Sequence, residues 1–264
     1  MVLRMLLCTA LAGGLALLVG GCLGAVHQLP RIEHADILAA KADAGQAEHQ
    51  PAPPRLSEAE ARRKLDDALA RVRAAGEQVC HEMAIGTCTW QFVYARRLSL
   101  NASASIDGVV TMHHGLAEKA RSEEEICLVL AHEMGHLAAD HVRSLHLFYG
   151  WGRAIGWYLG HVADTLADLS GRPLTNFTRY GEAYGKWLGN LVFARQRERE
   201  ADYLAVLIAY RAGIDLDKAR GLDLDDARKT RQLASSVFDS HPLGAERLAG
   251  FDLAVAEVRA TKGR

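Results

Sequence analysis

The chain has 264 residues, with 31 Lys and Arg against 32 Asp and Glu and a formal net charge of −1. That balance, with no stretch joining clustered basic residues to aromatics, excludes a nucleic-acid module; no nucleic-acid partner is expected. The length accommodates one enzyme-sized domain and excludes a large second one.

In chain order, Arg4 precedes an apolar run from Met5 to Val19, followed by Gly20-Gly21-Cys22. This looks like a secretory signal ending in a bacterial lipoprotein box, so residues 1–21 are expected to be removed and Cys22 to become the lipidated first residue. The run is shorter than the ~20 residues that a spanning helix needs. Leu23 stands where an aspartate is absent, which by what is known of such lipoproteins implies transfer to the outer membrane in a Gram-negative host. The domain would then face the periplasm, anchored without spanning. Residues 22–55 mix short helical signals with Gly45, Pro51, Pro53 and Pro54 and read as lipidated N-terminus and tether.

Residues 56–264 read as the domain. Ser57 and Glu60 form a capping box that opens an amphipathic helix to Ala75. Cys80 and Cys88 flank a short Gly-containing stretch; in an oxidising compartment they form a disulfide or stay as two buried thiols. Trp90–Tyr94 and Ile106–Met112 alternate as strands do. Helices therefore dominate, with a short sheet. His113 and His114 follow the second strand and read as polar strand-end residues without a role.

Ser122 and Glu125 form a second capping box, and Ile126, Val129, Leu130 and Leu137 recur at helical spacing behind it. This helix carries His132-Glu133-Met134-Gly135-His136, an H-E-x-x-H motif. One turn apart, the two imidazoles can converge on one metal ion, with Glu133 beside the same site. Cys127 falls off that face and reads as core packing.

His146–Phe193 is rich in aromatics and glycines, with Gly152, Gly156 and Gly160 at every fourth residue. Such spacing permits close helix contact. Arg153, His161, Asp164 and Asp168 argue against a membrane span, leaving a helical insertion at about residues 146–193 that packs on the domain or covers its cleft. Zinc held by two imidazoles needs a third protein ligand. On the helix around Arg195–Tyr210, Glu198 and Asp202 lie one turn apart: Glu198 could bind the metal while Asp202 accepts the free ring N–H of His132 or His136. Glu200 points about 160° away from Glu198, so one of the two faces the site. Taken without the upstream motif, this segment reads more readily as a solvated charged face. Farther on, Pro242 biases His241 toward an extended, loop-like backbone.

These residues together resemble the gluzincin metallopeptidases (peptidase family M-48), which include CAAX-prenyl proteases, HtpX-type membrane proteases and periplasmic lipoprotein proteases of bacteria. The resemblance runs from about Asn101 to Phe251. It rests on Asn101-Ala102 before the Asp107-Gly108 turn, on His132 to His136, on Glu198-Arg-Glu-Ala-Asp202, and on Ser240-His241-Pro242 followed by Arg247-Leu248. It implies an α+β, mainly helical, zincin-like metalloprotease domain with a short β-sheet and an H-E-x-x-H active-site helix. It also implies one Zn2+ per chain on His132, His136 and Glu198, with Asp202 behind them.

Zinc so held lowers the pKa of its water toward ~7 and polarises a carbonyl, and Glu133 would act as the general base. His241 or Arg247 could stabilise the oxyanion; His241 could instead occupy the open zinc position as a latency ligand, or simply cap a turn. Two functions are expected. One is a membrane-anchored zinc metalloendopeptidase that acts on misfolded envelope proteins. The alternative is a zinc lipoprotein that serves mainly as a chaperone or assembly factor, with latent proteolysis.

Overall fold

Two serines set the starts of the helices that matter most. The computed structural model describes residues 28–46, 53–169, 176–221 and 244–264. After α1 (His34–Gln46), helix α2 spans Glu58–Met83. Its capping box is complete: the Ser57 hydroxyl accepts from the Glu60 N–H and the Glu60 carboxylate accepts from the Ser57 N–H. Ala61, Leu65, Ala68, Val72, Ala75 and Val79 form its buried stripe, which continues past the expected end at Ala75. The helix stops at Ala84, in the left-handed region at φ 54°. Cys80 and Cys88 are joined by a disulfide, which turns the chain into the sheet. Within that loop the Gly86 N–H donates to the Ala138 carbonyl at 3.1 Å.

The sheet has three strands in the order β1-β3-β2, with β1 at Gln91–Ala95, β2 at Ala102–Ala104 and β3 at Val109–His113. β1 runs parallel to β3, pairing Gln91 with Val109 through Ala95 with His113, and β2 runs antiparallel to it. The β2–β3 turn closes through Gly108, whose φ of 75° suits glycine. β2 was not expected as a strand, since Ala-Ser-Ala carries almost no β propensity. A short α3 (His114–Lys119) follows, and β2 packs on the next helix, α4 (Glu123–Ala138).

α4 is the centre of the core. From Glu125 to Ala138 every residue except Val129 is buried, so this is a helix enclosed on all sides. Ser122 caps it by accepting from the Glu125 N–H, and the Glu125 carboxylate accepts from the Arg121 N–H. Its Ile126, Leu130 and Met134 are fully buried, as are Leu65, Leu204 and Ile208 of neighbouring helices, each worth roughly 1.5–3 kcal/mol of removed apolar surface. Cys127 is a buried free thiol that donates to the Ala68 carbonyl, and burial pushes its pKa up to about 12. It packs in the core, as expected.

Helices α5 (His141–Leu169) and α6 (Phe177–Arg211) form a long antiparallel hairpin. Gly156 and Gly160 are the contact: a Cβ at Gly156 would lie 2.0 Å from the Gly181 carbonyl oxygen, and one at Gly160 would lie 2.3 Å from that of Phe177. Asp164 caps the start of α6 across the hairpin, accepting from the Phe177 and Thr178 N–H groups at 3.0 Å each. The expected insertion is thus the outer part of two helices whose inner ends belong to the domain. Trp157, Tyr158, Leu159, Leu169, Phe177 and Tyr180 are exposed there. Among the described residues no helix is long and apolar enough to cross a membrane.

After α7 (Leu216–Ala219), α8 (Ala245–Thr261) closes the fold. Ala40 and Ala44 of α1 bury against Leu248 and Ala249 of α8. Part of the segment expected as a tether is therefore built into the domain, because two alanines one turn apart give α1 a flat face that α8 covers. Residues 1–27, with the expected signal and Cys22, lie outside the described residues.

Candidate metal centre

Helical spacing on α4 places His132 and His136 on one face, with their rings 4.6 Å apart and inclined at 82°. Their Nε2 atoms are 3.0 Å apart. From α6, Glu198 reaches both: Oε2 lies 3.4 Å from His132 Nε2 and Oε1 lies 3.4 Å from His136 Nε2. All three side chains are buried, and one donor atom from each falls within 4.8 Å of the others.

This donor set fits a metal. Ligands about 2.0–2.1 Å from a tetrahedral ion stand about 3.3–3.4 Å apart, close to the separations seen here. Lone pairs and a carboxylate converge, so the pocket favours positive charge. Burial and the Arg247 guanidinium work to lower the pKa of His132. The Asp202 and Glu198 carboxylates overcome both and raise it to about 10 in the metal-free chain. A divalent cation bound there would replace that proton.

Glu133, next to His132, is 3% exposed. Asp202, one turn beyond Glu198, lies with Oδ1 2.9 Å from Nδ1 of His132, the nitrogen facing away from the metal donors. Arg247 on α8 grips the same carboxylate, Nε to Oδ2 at 2.7 Å and Nη2 to Oδ1 at 2.6 Å, with Nη2 3.2 Å from His132 Nδ1. Burial pushes the Asp202 carboxyl up, and Arg247 and His132 together hold it below its usual range. The geometry thus sets Arg247 against Asp202. His241 lies outside the described residues.

Two buried residues near the site were not anticipated from sequence. Glu200 is 1% exposed and points away from Glu198, as helix geometry requires, but into the protein. There Oε2 lies 3.1 Å from Nε2 of His141, the first residue of α5. Burial drives His141 down to about 4 against the pull of Glu200, leaving the imidazole neutral near pH 7. The available signal was a histidine five positions after His136 and an acid on each face of an apolar-flanked helix.

His113 and His114, expected at a polar strand end, are both buried because α3 and the β1–β2 connection fold over the end of β3. His114 bonds Tyr94 and Glu118. His113 contacts Ser99 through Nδ1, while its Nε2 has no hydrogen-bond partner among the described residues. Burial and Arg97 lower the pKa of His113 and Glu133 acts to raise it, so the Glu133 carboxylate is within its electrostatic reach.

The chain is similar to known proteins. The family profile described as Peptidase family M48 matches residues 67–253. The chain is 32% identical over 158 residues to the metalloprotease LoiP of Escherichia coli, covering 56% of each chain. It is 28% identical over 186 residues to the beta-barrel assembly-enhancing protease of the same species, covering 65% of this chain and 35% of that one. It is 27% identical over 161 residues to the mitochondrial metalloendopeptidase OMA1 of Schizosaccharomyces pombe, covering 60% and 44%. The chain therefore spans about half of the first relative and about a third of the second.

Proposed function

This chain belongs to peptidase family M48, and on that premise we propose that it is a zinc-dependent metalloendopeptidase of the bacterial envelope. The observation that carries the reading is the buried convergence of His132, His136 and Glu198 beside Glu133. A set of two imidazoles and one carboxylate leaves a coordination position free and favours zinc over harder ions. When bound, zinc supplies Lewis acidity toward a carbonyl and makes water a nucleophile near neutral pH.

The chain's own residues do the rest. His132, His136 and Glu198 would hold the ion through Nε2, Nε2 and a carboxylate oxygen. Glu133, which the donor set does not use, would take the proton of the attacking water and pass it to the leaving amine. Asp202, fixed by Arg247, would keep the His132 proton on Nδ1 so that Nε2 stays free for the metal. β2 is an edge strand of the sheet and packs on the H-E-x-x-H helix, so an extended peptide adding to that edge would run past the site.

Substrates would be misfolded or misassembled proteins of the envelope. The names of the relatives support a protease, and the Gly20-Gly21-Cys22 box supports lipid anchoring at the outer membrane, facing the periplasm.

The test measures metal content and casein cleavage on the detergent-purified full chain. One zinc per wild-type chain is expected. Glu133→Gln should keep the zinc and lose roughly 10²–10⁴-fold in cleavage rate, and Glu198→Ala should lose the zinc. Cleavage at the wild-type rate by Glu133→Gln would remove Glu133 from the chemistry and with it this reading.

A further inference from the structure

Each of the two imidazoles at the centre has its far nitrogen on a buried partner, and the two partners differ. His132 Nδ1 meets a carboxylate directly, Asp202 at 2.9 Å. His136 Nδ1 meets another imidazole, Nδ1 of His141 at 3.1 Å, and His141 Nε2 lies 3.1 Å from Glu200 Oε2. We propose that His141 and Glu200 are positioning residues for His136, a two-step relay that fixes its proton on Nδ1 and its ring plane so that Nε2 is presented to the metal. The proposal rests on the zinc reading above.

The proton accounting leaves one consistent arrangement. A metal ligand through Nε2 carries its proton on Nδ1 and must donate it. The atom facing that proton, His141 Nδ1, then accepts, which puts the proton of neutral His141 on Nε2. That N–H points at Glu200, and a carboxylate only accepts. Each nitrogen and oxygen along the path has one role, so a flip at either ring sets donor against donor or lone pair against lone pair.

Local backbone explains the interposed imidazole. Glu198 and Asp202 occupy one face of α6, and Glu200 leaves about 160° away. It meets His141, whose ring stands between the Glu200 carboxylate and His136 Nδ1. The bridge is supplied by the turn at Asp140, a non-glycine residue at φ 54°, which ends α4 and sends the chain back so that His141 stands beside the helix it has just left. The His136 and His141 rings then meet edge to face at 5.1 Å, and Arg197 donates to the His141 carbonyl at 3.2 Å, holding the start of α5 in place.

A buried pair that merely joined α5 to α6 would affect stability and leave the metal alone. The test is therefore the zinc dissociation constant, by competition with a chromophoric chelator, on the full chain. His141→Leu and Glu200→Leu should each bind zinc ~10–100-fold more weakly than wild type. His141→Gln has an amide with an acceptor and a donor and should recover most of the affinity. Nitrogen-15 NMR of the zinc-loaded wild type should show His136 as the Nδ1–H tautomer. Wild-type affinity in His141→Leu, or equal weakening in His141→Gln and His141→Leu, overturns the relay while the zinc site stands. A wild-type chain that binds no zinc, or a Glu198→Ala chain that still binds it, overturns the zinc reading and the relay with it.

Discussion

Both oxygens of Asp202 lie within hydrogen-bond distance of Arg247, and Oδ1 also faces His132. An ionised carboxylate buried this deeply is costly unless it is paired, and removing one member of such a pair typically costs about 3–5 kcal/mol. Arg247→Met should therefore lower the urea-unfolding free energy of the metal-free chain by about 3 kcal/mol. The Asp202 carboxyl should rise toward its usual range, and zinc affinity should drop as the His132 tautomer loosens. An unchanged urea midpoint would show that the pair carries little. At this scale the sequence was informative where position follows from spacing. His132, Glu133 and His136 are fixed by one helical turn, and Glu198 with Asp202 by another. His141 and Glu200 were not legible, because their meeting depends on the left-handed turn at Asp140 and on how two distant helices pack. The burial of His113 and His114 has the same origin, since strand ends look polar until another segment covers them.

Among the elements, helix starts were readable and helix ends were not. Ser57 and Ser122 are both N-caps, because an N-cap is a local bond between neighbours; the reciprocal box forms at Ser57, whereas at Ser122 the Glu125 carboxylate accepts from the Arg121 N–H. The end of α4, where the chain turns at Asp140, is also braced from elsewhere, by Gly86 in the loop that Cys80 and Cys88 close. A Cβ at Gly86 would stand 2.0 Å from the Leu137 carbonyl oxygen and 2.7 Å from that of Ala138, both backbone atoms that cannot swing aside. Gly86→Ala should thus cost about 1–3 kcal/mol by overpacking and displace the last turn of α4, which carries His136. A lower thermal midpoint together with weaker zinc binding is expected; loss of stability with unchanged zinc affinity would mean that the turn moves without its ligand. β2 was missed for a related reason, since its three small residues are strand only by virtue of pairing with β3.

For the whole molecule, helical periodicity and strand alternation pointed to a mainly helical domain with a short sheet, and the fold has that form. Its proportions were harder to foresee. The segment His146–Phe193 looked like an inserted piece, yet α6 runs unbroken from Phe177 to Arg211 and carries the hairpin at one end and Glu198 in its second half. This continuity works as a phase lock. Each residue added between Gly181 and Glu198 turns the hairpin contact by about 100° relative to the metal donor, and Gly156 on α5 fits Gly181 in one orientation. A single alanine inserted after Gly189 should open the hairpin to limited proteolysis. Seven residues added to each helix should leave it resistant, because two turns return to within about 20° of the starting phase. Divergence in hairpin length along this lineage would then proceed by matched heptads in both arms.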